Sequence, residues 1–139
     1  MRVVEYDRFS TDIPNDAIYK LDGTFGFFQQ AASYMRLYYN QGKELIGKIE
    51  WSLETTDTIH IDWIIAINGN GKLVLGEFEM FAATKDFKRI RLLSTASPDE
   101  SKVTVTRRFN FYQSMGYRFD TVEYREPHTV IFYRVKNLN

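Results

Sequence analysis

Between Ile59 and Leu93 the sequence changes its period twice, and that limits the folds open to it more than any other feature. Ile59, Ile61, Trp63, Ile65 and Ile67 alternate with other residues, the period of a strand with one face in a core. Ile64 is a further apolar residue, which places this strand at a sheet centre, covered on both faces. Gly69-Asn70-Gly71 then interrupts the pattern. Val74, Leu75, Phe78, Phe81 and Ala82 follow at the spacing of one broad helical face. Arg89 to Leu93 returns to a strand. Strand, glycine loop, helix, strand is a βαβ unit, so the two strands should run parallel in one sheet.

The rest of the chain builds outward from that unit. Arg2 to Tyr6 reads as a first strand. Pro14 to Leu21 reads as a short helix ending before Gly23, with proline in its first turn. Phe25 to Ala32 is aromatic and ambiguous, a second helix being one reading. Tyr34 to Asn40 and Leu45 to Leu53 flank the turn Gln41-Gly42-Lys43 and make a β-hairpin. Ser97-Pro98-Asp99-Glu100 has the form of a capping box, but the β-branched run Val103 to Thr106 is unfavourable in a helix. The helix is therefore expected over about Thr106 to Met115, with Gly116 in a left-handed conformation at its end. Tyr117 to Tyr124 and Thr129 to Val135 are the final strands, turning at Pro127. The expectation is one α/β domain over residues 1–139: a mixed, mostly antiparallel sheet of six to seven strands flanked by helices.

Composition removes several kinds of function. The 139 residues contain no cysteine and two histidines, His60 and His128. Disulfides, thiolate catalysis and cysteine-ligated zinc are thereby excluded, and no metal site is expected. Formal net charge is zero, so no long-range field draws the chain to nucleic acid or an acidic membrane. The cluster Lys85, Lys88, Arg89 and Arg91 has acids interspersed nearby and reads as a solvated face. The N-terminus lacks the apolar stretch of a signal peptide, and Trp63 to Ile67 is the longest unbroken apolar run. By elimination, a cytoplasmic location is expected.

Two motifs carry a resemblance. Phe111-Tyr112-Gln113-Ser114-Met115-Gly116-Tyr117 joins the last helix to the next strand. Ala66-Ile67-Asn68-Gly69-Asn70-Gly71 opens the preceding helix. With the order of elements, these resemble the GNAT superfamily of acyl-CoA-dependent N-acyltransferases, whose patterns are F-Y-x-x-x-G-F and Q/R-x-x-G-x-G/A. Ala66 stands where the family has Gln or Arg, and Val105 where it often has Asn.

The resemblance implies acetyl-CoA, or another acyl-CoA, as co-substrate. Its pyrophosphate would lie on the backbone of Ile67, Asn68, Gly69, Asn70, Gly71 and Lys72, since N–H groups at a helix start form an anion site. Tyr112 would be the acid that protonates the leaving thiolate. A base for the attacking amine is sought among Glu50, His60 and Asp62, with His60 and Asp62 expected on the same side of their strand. The acceptor would be a small-molecule or protein amine. Two other readings stay open: a relative that binds acyl-CoA without turnover, and a small binding domain. Trp51, Tyr34, Tyr38 and Tyr39 would then serve as interface, a homodimer being one reading, although Trp51 reads better as core.

Overall fold

The structure is a computed structural model and describes residues 1–14, 17, 32–67, 69–126 and 128–138. Its elements run β1 (Arg2–Asp7), β2 (Tyr34–Tyr39), β3 (Leu45–Leu53), β4 (Thr58–Ala66), α1 (Gly71–Thr84), β5 (Arg89–Ala96), α2 (Lys102–Ser114), β6 (Arg118–Arg125) and β7 (Thr129–Asn137). The strands form one seven-stranded sheet in the order β1-β2-β3-β4-β5-β7-β6. Neighbours pair antiparallel throughout except β4 and β5, which are parallel as the βαβ pattern requires. This is the mixed sheet expected from the sequence. The helices expected over residues 14–21 and 25–32 lie almost wholly outside the described residues.

Both described helices cover the same face. Val74, Leu75, Phe78 and Ala82 of α1 join Tyr112 of α2 and Tyr117 in one buried cluster. The sheet contributes Tyr38, Ile49, Trp51, Ile59, Ile61, Ile90 and Leu92 to it. Each fully buried large side chain contributes about 1.5–3 kcal/mol relative to exposure, so this cluster dominates the hydrophobic stabilisation. A smaller cluster on the opposite face gathers Ala17, Met35, Leu37, Tyr39 and Leu45.

The regular alternation expected over Ile59–Ile67 does not hold. Trp51 and Glu50 are adjacent on β3, but they pair with Ile61 and Trp63 on β4. Asp62 is therefore an extra residue, a β-bulge. Its effect is a reversal of faces: Ile59, Ile61, Ile64 and Ala66 pack with the helix-side cluster, Ile65 and Ile67 with the other.

The start of α2 also departs from expectation. The helix begins at Lys102, and Ser101, not Ser97, caps it by accepting the Thr104 N–H at 3.1 Å. The β-branched run Val103–Thr106 is helical because that cap and an Arg108–Glu100 pair at 2.5 Å offset its propensity cost. Glu100 still accepts from the Ser97 N–H at 3.3 Å, but inside the preceding turn. Gly116 has φ +90°, the left-handed conformation foreseen for it.

Candidate active site

The parallel ladder between β4 and β5 is short. It joins Thr58–Ile61 to Arg89–Leu92 and ends there. Beyond it β5 stays paired with β7 up to Ala96, while β4 continues with β3. The bulge at Asp62 sits where the two strands part, since a bulged strand bends and twists away. The parting opens a cavity of about 710 Å³. His60, Asp62 and Trp63 line one wall, Ser94 and Thr95 the other, and Tyr112 lines it from α2.

Three of the sequence-predicted residues thus meet. His60 and Asp62 do share a side, with His60 Nδ1 3.2 Å from Asp62 Oδ1. The second Asp62 oxygen accepts from Ser52 Oγ at 2.7 Å. Each of the His60 and Asp62 side chains keeps 18% of its surface exposed. Tyr112 is almost fully buried, and that burial raises its pKa against the opposing fields of Arg108 and Arg134. At neutral pH it is a protonated phenol, able to donate. Arg108 donates to the Thr95 carbonyl at 2.5 Å and holds the Glu100 carboxyl below the usual range.

Glu50 is elsewhere. It is fully buried beside Lys48, with 3.0 Å between Nζ and the carboxylate, and does not line the cavity. The glycine loop is also apart from this lining. Asn68 lies outside the described residues. Ile67 follows the end of β4 and its N–H donates to the Ile46 carbonyl at 2.8 Å. Gly69 has φ +79°, where an L side chain is strained. Asn70 occupies the cap position of α1 but does not cap it; its side chain donates to the Ile67 carbonyl at 2.6 Å. The first-turn donors at Gly71 and Lys72 consequently have no side-chain cap, and no acidic residue stands in that turn. Gly71 has a further duty: a Cβ there would come 3.1 Å from the Phe111 ring, so glycine lets the start of α1 approach α2.

Sequence reasoning missed Ser52, Trp63, Arg108 and Arg125 as lining or supporting residues. No motif marks them, because the cavity is made by strand divergence and the Ser52–His60 pairing by register. The aromatic hairpin resolves mostly into core: Tyr38 and Tyr39 are buried, and Trp51 stacks on the partly exposed Tyr34 at 4.4 Å. The basic cluster is partly neutralised, with Arg89 on Asp57 and Arg91 between Glu54 and Asp120. No group of metal-ligating side chains occurs among the described residues, and no helix among them is long and apolar enough to cross a membrane.

No family model and no curated protein matches the sequence. Solved structures do match its fold. A GNAT-family acetyltransferase from Elizabethkingia anophelis with acetyl-CoA bound superposes with a TM-score of 0.67, covering 98% of each chain at 18% identity. IAA acetyltransferase from Bacillus cereus gives 0.68, covering 99% of this chain and 100% of that one at 15% identity. The aminoglycoside 6'-N-acetyltransferase from Enterococcus faecium gives 0.67, covering 100% and 98% at 12% identity. With the strand order, the parted β4 and β5 and the helix opened by Gly71, these likenesses establish that the chain has the GNAT fold.

Proposed function

We propose that the chain is an acyl-CoA-dependent N-acyltransferase that moves an acetyl group from acetyl-CoA to an amine by direct attack. The observation that carries this reading is the cavity between β4 and β5, with His60–Asp62 on one wall and Tyr112 on another. The residues present suit the co-substrate. The uncapped N–H groups at Gly71 and Lys72 offer donors to a pyrophosphate, and a Cβ placed on Gly69 would meet nothing within 4 Å, so that stretch of backbone is open to approach. Lys72 adds a cation at the helix start.

In the reaction, the lone pair of the neutral amine forms the C–N bond at the thioester carbonyl, whose oxygen becomes an oxyanion, and His60 Nε2 takes the proton that the nitrogen sheds as it becomes cationic. The oxyanion collapses and the C–S bond breaks. Tyr112, almost fully buried, gives its phenolic proton to the departing sulfur. Asp62 steadies the imidazolium that forms.

The test is a thermal melt with CoA. At about 100 times its dissociation constant, CoA should stabilise the native state by roughly 2.7 kcal/mol. The loop is best probed at Lys72, because Gly71 is also a packing residue. Lys72→Glu should shrink the CoA-induced shift while leaving the ligand-free midpoint unchanged or slightly higher, since an acid at a helix start suits its dipole. No shift in wild type would favour the reading as an interaction module. The specific support for that second reading is the contact of Gly71 with Phe111, which explains this glycine without a phosphate.

A further inference from the structure

We propose that Ser52 is a positioning residue that, through Asp62, fixes His60 in the tautomer carrying its proton on Nδ1, leaving the Nε2 lone pair as the base. This rests on the acyltransferase reading for its purpose, though not for its geometry. Ser52 on β3 stands directly opposite His60 on β4 in the ladder. Asp62 is the bulged residue two positions further on.

The direction of every hydrogen bond in this chain follows from what each group can do. The Ser33 N–H is a donor, shared between the Trp51 carbonyl and Ser52 Oγ, 3.2 Å from each. Ser52 therefore accepts at its oxygen from Ser33, and its hydroxyl proton is free to be given away. A carboxylate oxygen accepts. Ser52 Oγ–H accordingly donates to Asp62 Oδ2 at 2.7 Å. That contact holds the carboxylate in one orientation and turns Oδ1 towards the ring, 3.2 Å from His60 Nδ1. A carboxylate oxygen there requires a proton on Nδ1. In neutral imidazole the lone pair is then on Nε2.

The arrangement has a purpose that packing alone lacks. Free histidine prefers its proton on Nε2, and in that form it could not accept a proton at Nε2 from an amine in the cavity. Three strands converge on the correction: Ser33 at the entry to β2, Ser52 on β3, and the His60–Asp62 pair on β4. Ser52 is not itself one of the residues lining the cavity and reaches it only through Asp62, so its part is positioning.

The chain's two histidines make the test direct. Long-range ¹H–¹⁵N correlation spectra of the imidazoles report which nitrogen carries the proton, and His128→Asn assigns the remaining signal to His60. Wild-type protein should show His60 mainly with its proton on Nδ1. Ser52→Ala and Ser52→Val should both move it towards the Nε2–H form, while Ser52→Thr, which keeps the hydroxyl, should retain the wild-type pattern. Two variants guard against one failing to fold. A wild-type His60 with its proton on Nε2, or a tautomer indifferent to both hydroxyl-removing variants, overturns the proposal. The CoA melt reports separately on the acyltransferase reading. The Nδ1–H form without a CoA shift would keep the relay and discard the enzyme, and the converse pair of results would do the reverse.

Discussion

Two pairs of ionisable side chains sit on neighbouring strands of the same sheet, each formed by residues two apart. Lys48 and Glu50 on β3 are both fully buried, 3.0 Å apart. His60 and Asp62 on β4 lie 3.2 Å apart, and each keeps 18% of its side chain exposed. The first pair is shut away from any substrate. The second opens onto a cavity. Sequence spacing treats them alike; what separates them is the parting of β4 from β5 beside the second pair alone. A carboxylate held against a buried ammonium is out of reach of solvent and ligand. A partly exposed pair gives up some electrostatic strength and gains access to solvent and ligand.

The largest effect should come from opening the sealed pair. Lys48→Met leaves Glu50 as a buried charge without its ammonium and should cost about 3–5 kcal/mol in denaturant unfolding. Lys48→Met with Glu50→Leu should recover part of that loss. If the folded double variant also loses acetyl transfer, Glu50 is a base after all and the contrast between the pairs collapses.

Next comes the open pair. His60→Gln should lower turnover by about 10²-fold or more, read as acetyl-CoA consumption with a responsive amine, with its unfolding free energy changed by less than about 1 kcal/mol. A large stability loss with normal turnover would make His60 as structural as Lys48. Tyr112→Phe should act on the departure of the thiolate, lowering kcat and kcat/KM together while the CoA-induced melting shift persists.

The smallest effect belongs to a third pair, further along the same gradient. Arg125 and Glu123 on β6 are 59% and 43% exposed, with a contact of 3.3 Å. Arg125→Ala should leave the unfolding midpoint unmoved, because water and salt already screen such a pair. A clear loss of stability would show that exposure is a poor guide to the ranking.

Periodic features were legible in the sequence. The βαβ unit, the helical face Val74–Ala82 and the left-handed Gly116 all follow from local pattern, and the structure keeps them. The co-facing of His60 and Asp62 was legible too, because two residues along a strand share a side. The bulge at Asp62 was not. No glycine or proline announces it, and Ile59–Ile67 reads as one continuous strand face. Ser52 was invisible for a related reason: its partner across the ladder depends on register, which the hairpin turn does not fix uniquely. The early start of α2 was hidden because the β-branched run Val103–Thr106 argues against helix, and the Ser101 cap and the Arg108–Glu100 pair that offset it show only in the fold.

The bulge also gives β4 two mechanical behaviours within one strand. From Thr58 to Ile61 it is clamped between partners on both edges; from Asp62 onward it is held along the β3 side alone. Thermal motion in the second stretch can flex that edge without stretching any bond to β5, as a page turns about its spine. Amide hydrogen exchange should register the spine as a step, slow through Ile61 and faster after it, at backbone groups in a single unbroken strand. A guest molecule spanning the gap would erase the step.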